Sequence, residues 1–341
     1  THPGQPGKVR QSYPTTKEPP VPISRITSSP RVRRSVTTTA LVLAATLLTA
    51  RSSDPEPAAT GAPAPADTAA GYAVEHARGT VELDAAPQRV VTLEPVETDT
   101  AVALGVVPVG AAVLSVEAGV PAYLVEEAQA IEVVGTVPEP NLEAIAALEP
   151  DLILGTESRH SDLYDQLASV APTVFMATQT DPWQENVLLV GRALGREADA
   201  QALLDAYDAR CAQLQEDYDV SGTAQLLRPR DGIVSAYGPR SFAGSTLECV
   251  GFTTPEQEWG EDISVDLSPE RVTEAAADLV LVSAAAPDDA SAVPAEIPLN
   301  AASFPDVRVV DQSSWISGVG PLGGQAVLDD VERFLQDRAG S

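Results

Sequence analysis

The residue types that could do chemistry are few, and their spacing limits what they do. Histidine occurs three times, as His2, His76 and His160, and the first two lie in or beside the polar N-terminal segment. One usable histidine does not make a bare zinc or manganese site, which draws on several imidazoles with carboxylates. His160 is also the only candidate base, and no local serine and aspartate complete a nucleophilic triad with it. Cys211 and Cys249 form no C-x-x-C pair, so they are either disulfide partners or buried free thiols. Gly318-Val-Gly-Pro-Leu-Gly323 matches G-x-G-x-x-G. It does not directly end a strand, and the chain stops before a following strand and its acid, so no dinucleotide site is expected.

Groups suited to binding remain. Arg159 follows the apolar run Asp151–Gly155, and Arg240 follows Gly232–Tyr237. A guanidinium is always charged and donates several hydrogen bonds, which suits ligand oxygens as well as a surface ion pair. Tyr237 and Trp315 also stand just after strand-like runs, where an aromatic face either contacts a bulky ligand or packs as cleft wall. Trp183 reads as structural, and Trp259 lies in a loop with no assigned place. Glu143 and Glu270 each sit in the first turn of a predicted helix, where a carboxylate complements the helix dipole.

The elements that position these groups alternate between strand and helix. Short apolar runs at Arg89–Leu93, Val106–Ala112, Asp151–Gly155 and Thr173–Met176 predict strands, with helices at Glu97–Leu104, Asn141–Leu148 and Asp162–Val170 between them. Strands apolar on both faces imply largely parallel sheets covered by helices. Trp183–Tyr218 breaks the rhythm: it has no proline, and Leu188, Ala193, Leu203, Ala206 and Leu214 recur at helical spacing. It predicts one helix of about 50 Å. The strand–helix rhythm then resumes at Gly232–Tyr237, Ser245–Val250, Pro269–Ala276, Asp278–Ser283, Val307–Val310 and Pro321–Arg338. Glu143 precedes Asp151 by the same spacing as Glu270 precedes Asp278, and each Asp opens a Leu-(Ile/Val)-Leu run. The repeat predicts two similarly built lobes at 72–182 and 220–341, joined by a connecting helix at 183–219. A cleft is expected between them at the carboxyl ends of the sheets.

Charge is unevenly distributed. Residues 1–51 hold eight basic side chains and one acid, whereas the rest holds 13 arginines, no lysine and 48 acids. So acidic a body repels nucleic acid, whose binding needs Lys or Arg on the phosphates. Arg31, Arg33 and Arg34 precede an uncharged run, Ser35–Ala50, too short for a comfortable membrane span; residues 1–50 therefore read as a leader with a signal peptide. Leu48-Thr49-Ala50-Arg51 resembles a bacterial lipobox with Arg51 where the lipid-bearing cysteine would stand. Residues 51–71, rich in Pro, Ala and Thr, read as a disordered tether. An exported body is expected, lipid-anchored if that signal works and secreted otherwise, with no other membrane association.

Four blocks carry a family resemblance: Pro87–Leu93, Asn141–Leu154, Tyr237–Glu248 and Trp315–Asp330. Together, from about residue 73 to 336, the chain resembles the iron-siderophore substrate-binding proteins of ABC transporters, a group that also includes cobalamin and haem binders. The resemblance implies the class III periplasmic-binding-protein fold: two Rossmann-like α/β lobes joined by one long α-helix, with a small hinge motion. It implies a monomer and no enzyme, with no cofactor beyond the ferric siderophore it transports. Arg159, Tyr237, Arg240 and Trp315 are then the expected ligand-binding residues, and Glu143 and Glu270 the acids that dock onto the ABC transporter permease. The alternatives are a cobalamin or haem carrier on the same fold, an exported α/β hydrolase, and a released scavenger.

Overall fold

The computed structural model describes residues 71–340, apart from 181, 231 and 261. The expected leader and all but the last residue of the expected tether lie outside the described residues. In chain order the first lobe comprises β1 (Tyr72–His76), β2 (Gly79–Leu83), β3 (Val90–Thr92), α1 (Pro95–Ala103), β4 (Gly110–Val113), β5 (Glu132–Thr136), β6 (Glu139–Pro140) and α2 (Leu142–Ala147). It continues through β7 (Leu152–Thr156), α3 (Glu157–His160), α4 (Tyr164–Ala168), β8 (Thr173–Met176) and α5 (Trp183–Ala193). After α6 (Glu197–Asp217) the second lobe comprises β9 (Ala224–Arg230), β10 (Ile233–Tyr237), α7 (Phe242–Val250), β11 (Ser264–Leu267) and β12 (Leu279–Ala284). It ends with α8 (Glu296–Leu299), β13 (Val307–Asp311), α9 (Gln312–Trp315) and α10 (Pro321–Ala339).

The first sheet has the order β6-β5-β4-β3-β7-β8, parallel except for β6. Strands β3, β4, β7 and β8 are buried on both faces, as the unbroken apolar runs require, whereas β5 and β6 at the edge are partly exposed. Val90, Leu152, Leu154, Val174 and Met176 face a central core, and Val91, Leu93, Ile153 and Phe175 face an outer one, following the two-residue period of a strand. The second sheet, β11-β10-β9-β12-β13, is mixed: β9, β12 and β13 are parallel, whereas β10 runs antiparallel to both β9 and β11. The expectation of largely parallel sheets therefore holds for the first lobe only. The reason is the hairpin that returns β10 directly beside β9, with no crossover helix to keep it parallel.

The repeat seen in the sequence has a structural meaning. Asp151 accepts the backbone N–H groups of Gln88 (2.7 Å) and Arg89 (2.8 Å) at the start of β3. Asp278 accepts the backbone N–H (2.8 Å) and the hydroxyl (3.0 Å) of Thr223 at the start of β9. Each aspartate thus pins the beginning of the adjacent parallel strand in its own lobe, and these hydrogen bonds hold the Asp278 carboxyl below the usual aspartate range.

The predicted single connector is instead two helices. Gly195 adopts φ +67°, a left-handed conformation that ends α5, and α6 starts afresh after Arg196. Gly191 leaves room for Ala200 across the corner, where a Cβ would collide with it. Both glycines therefore serve a helix corner. α5 packs on α1, β1 and β8 of the first lobe, so only α6, about 30 Å long, runs on to the second. Cys211 of α6 and Cys249 of α7 form a disulfide, resolving the alternative left open by their spacing.

A second tie joins the lobes. The carboxylate of Asp99, on α1, accepts the backbone N–H groups of Leu322 (2.9 Å) and Gly323 (2.8 Å) in the first turn of α10, and the Tyr123 hydroxyl at 3.0 Å. Leu322 packs into the first-lobe cluster around Val102, Ala111 and Val120. The glycine motif makes this possible. At Gly320 (φ +141°) a Cβ would strike the Asp99 carboxylate, and at Gly323 it would strike the Gly318 carbonyl. The N–H groups that could have held a phosphate at this helix start are occupied by Asp99.

Candidate functional site

A groove runs between the lobes along the carboxyl ends of their sheets. In the first sheet the chain leaves β3 for β4 on one side and returns to β7 on the other, so the loops after β3 and β7 diverge at a topological switch point. Glu94 follows β3 and Arg159 follows β7, and the two meet there. Arg159 Nη1 donates to both Glu94 oxygens, at 3.1 and 2.9 Å. Its other guanidinium nitrogens make no hydrogen bond to the described residues, and its side chain remains 36% exposed. Glu94 is buried; burial pushes its carboxyl up, and the charge of Arg159 opposes that shift.

Three adjoining cavities make up the groove. The central one, about 200 Å³, is lined by Glu94, Arg159, Arg228 and Tyr237. On one side it shares Gln179, Tyr237, Ile263, Ile316 and Val319 with a cavity of about 290 Å³ that reaches Trp183, Arg240 and Trp315. On the other side Pro95, Leu114 and Ser317 lead into a cavity of about 380 Å³ bordered by Thr98, Tyr123, Gln129 and Ser313. The last segment is mainly apolar and hydroxyl-bearing, with Asp311 the one acid among the described residues that line it.

The four residues expected to touch a ligand all line this groove, but unequally. Arg159 and Tyr237 share the central cavity, and Arg240 lies exposed at the flank. Trp315 corrects the expectation of an open aromatic face. It is 1% exposed, and its Nε1 donates to Asp330 at 2.8 Å, because α9 turns the ring beneath α10. It supports the wall from below. Trp183 is buried edge-on against Tyr207 and Phe242, as its structural reading expects.

Arg228 escaped the reading of the sequence. The β9–β10 register places Arg228 opposite Ser235 and Tyr237 opposite Leu226, so Arg228 and Tyr237 share one face of the sheet at the groove. The available signal was an arginine interrupting an apolar strand run, Leu226-Leu227-Arg228.

His160 does not serve as a base in this arrangement. It is fully buried; Nδ1 accepts the Thr156 N–H at 3.1 Å and Nε2 faces the Val137 carbonyl at 2.8 Å. The proton therefore belongs on Nε2, and burial holds the imidazole below its ordinary pKa. Glu143 and Glu270 are exposed in the first turns of α2 and a 3-10 turn at Pro269–Ala275, outside the groove. Among the described residues no group of three or more His, Cys, Asp or Glu side chains is placed to hold a metal ion.

Comparison with known proteins places this architecture. Residues 90–301 match the family model described as "Periplasmic binding protein". A probable siderophore-binding lipoprotein of Bacillus subtilis is 35% identical over 54% of this chain and 58% of its own length. The achromobactin-binding periplasmic protein of Dickeya dadantii is 31% identical over 72% of this chain and 86% of its own. Among solved structures, Staphylococcus aureus SirA complexed with staphyloferrin B superposes with a TM-score of 0.66 at 30% identity, covering 78% of this chain and 98% of that one.

Proposed function

The chain belongs to the periplasmic binding protein family, and on that premise we propose that it is an extracytoplasmic receptor that captures a ferric siderophore in the inter-lobe groove and delivers it to an ABC importer. The observation that carries the reading is the groove itself. It joins guanidinium groups and a tyrosine, which suit the oxygens of a chelate, to a roomy apolar wall for the bulk of the ligand. The names of three relatives specify a siderophore, achromobactin and Fe(3+) dicitrate as ligands, which agrees with this chemistry.

Binding on this reading is reversible. Arg159, held by Glu94, donates toward the ligand from the first lobe, while Tyr237 and Arg240 donate from the second. Trp183 and Trp315 line one segment of the groove, so a bound ferric chelate quenches their emission. Glu143 and Glu270, one exposed acid per lobe, then meet basic residues of the permease. An exported hydrolase on this fold would need another base, since both nitrogens of His160 are engaged.

The test is a tryptophan-fluorescence titration of the full chain with ferric and iron-free siderophores, haem and cobalamin. Saturable quenching by a ferric siderophore, weakened in Arg159→Ala, is the expected result. A response confined to haem or cobalamin would keep the fold and reassign the ligand; silence across the panel from folded protein would refute the reading.

A further inference from the structure

The arginines of this acidic body are almost all accounted for. Ten of the thirteen among the described residues pair with a carboxylate. Arg89 donates to the carbonyls of Leu148 and Glu149 at the end of α2, and Arg240 is engaged as well. Among the described residues Arg228 is the one arginine with no ion pair and no hydrogen bond, although it is half-buried in the wall of the groove. On its own sheet face Asp266, opposite Ser235 in the register, is already used: it accepts from Arg230 at 3.0 Å and from Ser235 at 2.6 Å. The acid that lines the same cavity, Glu94, is held by Arg159.

Partial burial of an unpaired guanidinium costs free energy that any of 48 acids could have offset. Apart from the Glu94–Arg159 pair, the described polar residues that line the same cavity with it, Tyr237, Asn186, Gln179 and Ser317, are neutral. Once Glu94 cancels Arg159, Arg228 is left in the central cavity as a further cation with no further acid among the described residues that line it. An unpaired cation in the groove of a strongly acidic protein selects ligands by charge, and partial burial reduces its screening by salt.

We infer that Arg228 is the principal anion-recognising residue of the groove and that the ligand is an anionic, oxygen-rich ferric chelate rather than a neutral or cationic one. This rests on the reading of the chain as a ferric-chelate receptor and deepens it. The anionic groups of the chelate meet Arg228 and the free nitrogens of Arg159, and Tyr237 donates beside them. Its uncharged remainder extends into the hydroxyl-bearing segment near Tyr123 and Ser313. Carboxylate and catecholate chelates share the required chemistry; trihydroxamate chelates lack the net negative charge.

The experiment titrates the full chain with ferric citrate, with a ferric tris-catecholate, and with ferric Desferal, a trihydroxamate bearing a free ammonium. The proteins are wild type, Arg228→Met, which keeps the stem and removes the charge, and Arg228→Lys, which keeps a charge. Either anionic chelate binds wild type more tightly than ferric Desferal, loses about tenfold or more in affinity with Arg228→Met, and recovers part of it with Arg228→Lys. The two anionic arms identify the donor class. Wild-type affinity for the anionic chelate also falls with rising salt, a readout that survives if Arg228→Met fails to fold. Ferric Desferal binding as tightly as the anionic chelates, or Arg228→Met binding them unchanged, overturns the inference and leaves the receptor reading intact. Silence toward every ferric probe overturns both.

Discussion

The Asp99 carboxylate of the first lobe accepts the Gly323 N–H at 2.8 Å on the last helix of the second lobe, so the helix start in one lobe is capped by a side chain from the other. With the Leu322 N–H also bound, and Pro321 having none, two of the remaining three orphan donors at that helix start are satisfied across the inter-lobe boundary. The lobes are therefore joined twice, through α6 and through this clasp beside the groove. Such a joint resists wide opening and suits the small hinge motion implied by the family resemblance.

Gly320→Ala tests the clasp. The new Cβ meets the Asp99 carboxylate, and a φ of +141° strains any L side chain. A loss of roughly 1–3 kcal/mol in chemical denaturation is expected. An unchanged midpoint would mean that the contact yields without cost.

Asp99 also predicts a pH dependence. Burial pushes its carboxyl from 3.8 up to about 7, although three hydrogen bonds pull the other way. The folded chain thus holds a proton that the unfolded chain releases once the pH passes its own lower value. The stability contributed by this group is full below about pH 4 and is lost as the pH rises through about 7. Measured against Asp99→Asn, wild type should gain stability between pH 8 and pH 4.5. A pH-independent difference would place the folded carboxyl in the ordinary range.

The Cys211–Cys249 disulfide ties α6 to α7 across a separation of 38 residues. Chain entropy gives a bridge of that span about 4 kcal/mol. Reduction, or the double Cys→Ala variant, should lower the denaturation midpoint accordingly. Ligand affinity should hold, because neither cysteine lines the groove.

Glu143→Ala and Glu270→Ala separate capture from delivery. Both side chains are exposed and away from the groove, so chelate affinity should stay within about twofold of wild type. Uptake in cells carrying the cognate importer should fall by tenfold or more, since an interfacial charge pair that loses one partner costs about 2–5 kcal/mol. Normal uptake in the double variant would remove these acids from the docking surface.

Much of the scaffold was legible because its causes are local. Asn141 caps α2 by accepting the Glu143 and Ala144 N–H groups, two and three residues away, so cap and helix stand together in the sequence. The Asp151 and Asp278 repeat marked two lobes, since each aspartate stands at the same step before its strand. The connector was misread because a glycine at φ +67° and one merely tolerated in a helix look alike until α5 and α6 pack. The antiparallel hairpin of the second sheet left too weak a periodicity to announce itself.

By itself the sequence determined the alternation of strands and helices, the two-lobe repeat, and the arginines and aromatics that follow the strands. Strand period, capping and helix breaks arise from neighbours within a few residues, and those neighbours are visible in the chain. The tertiary structure decided which charges cancel and which side chains face the groove. Glu94 and Arg159 are 65 positions apart, and Trp315 is buried by a helix packed over it. That Arg228 keeps an unbalanced charge depends on where Arg230, Ser235 and Asp266 come to rest. Charge compensation and burial are sums over everything nearby in space, and only the folded chain sets that neighbourhood.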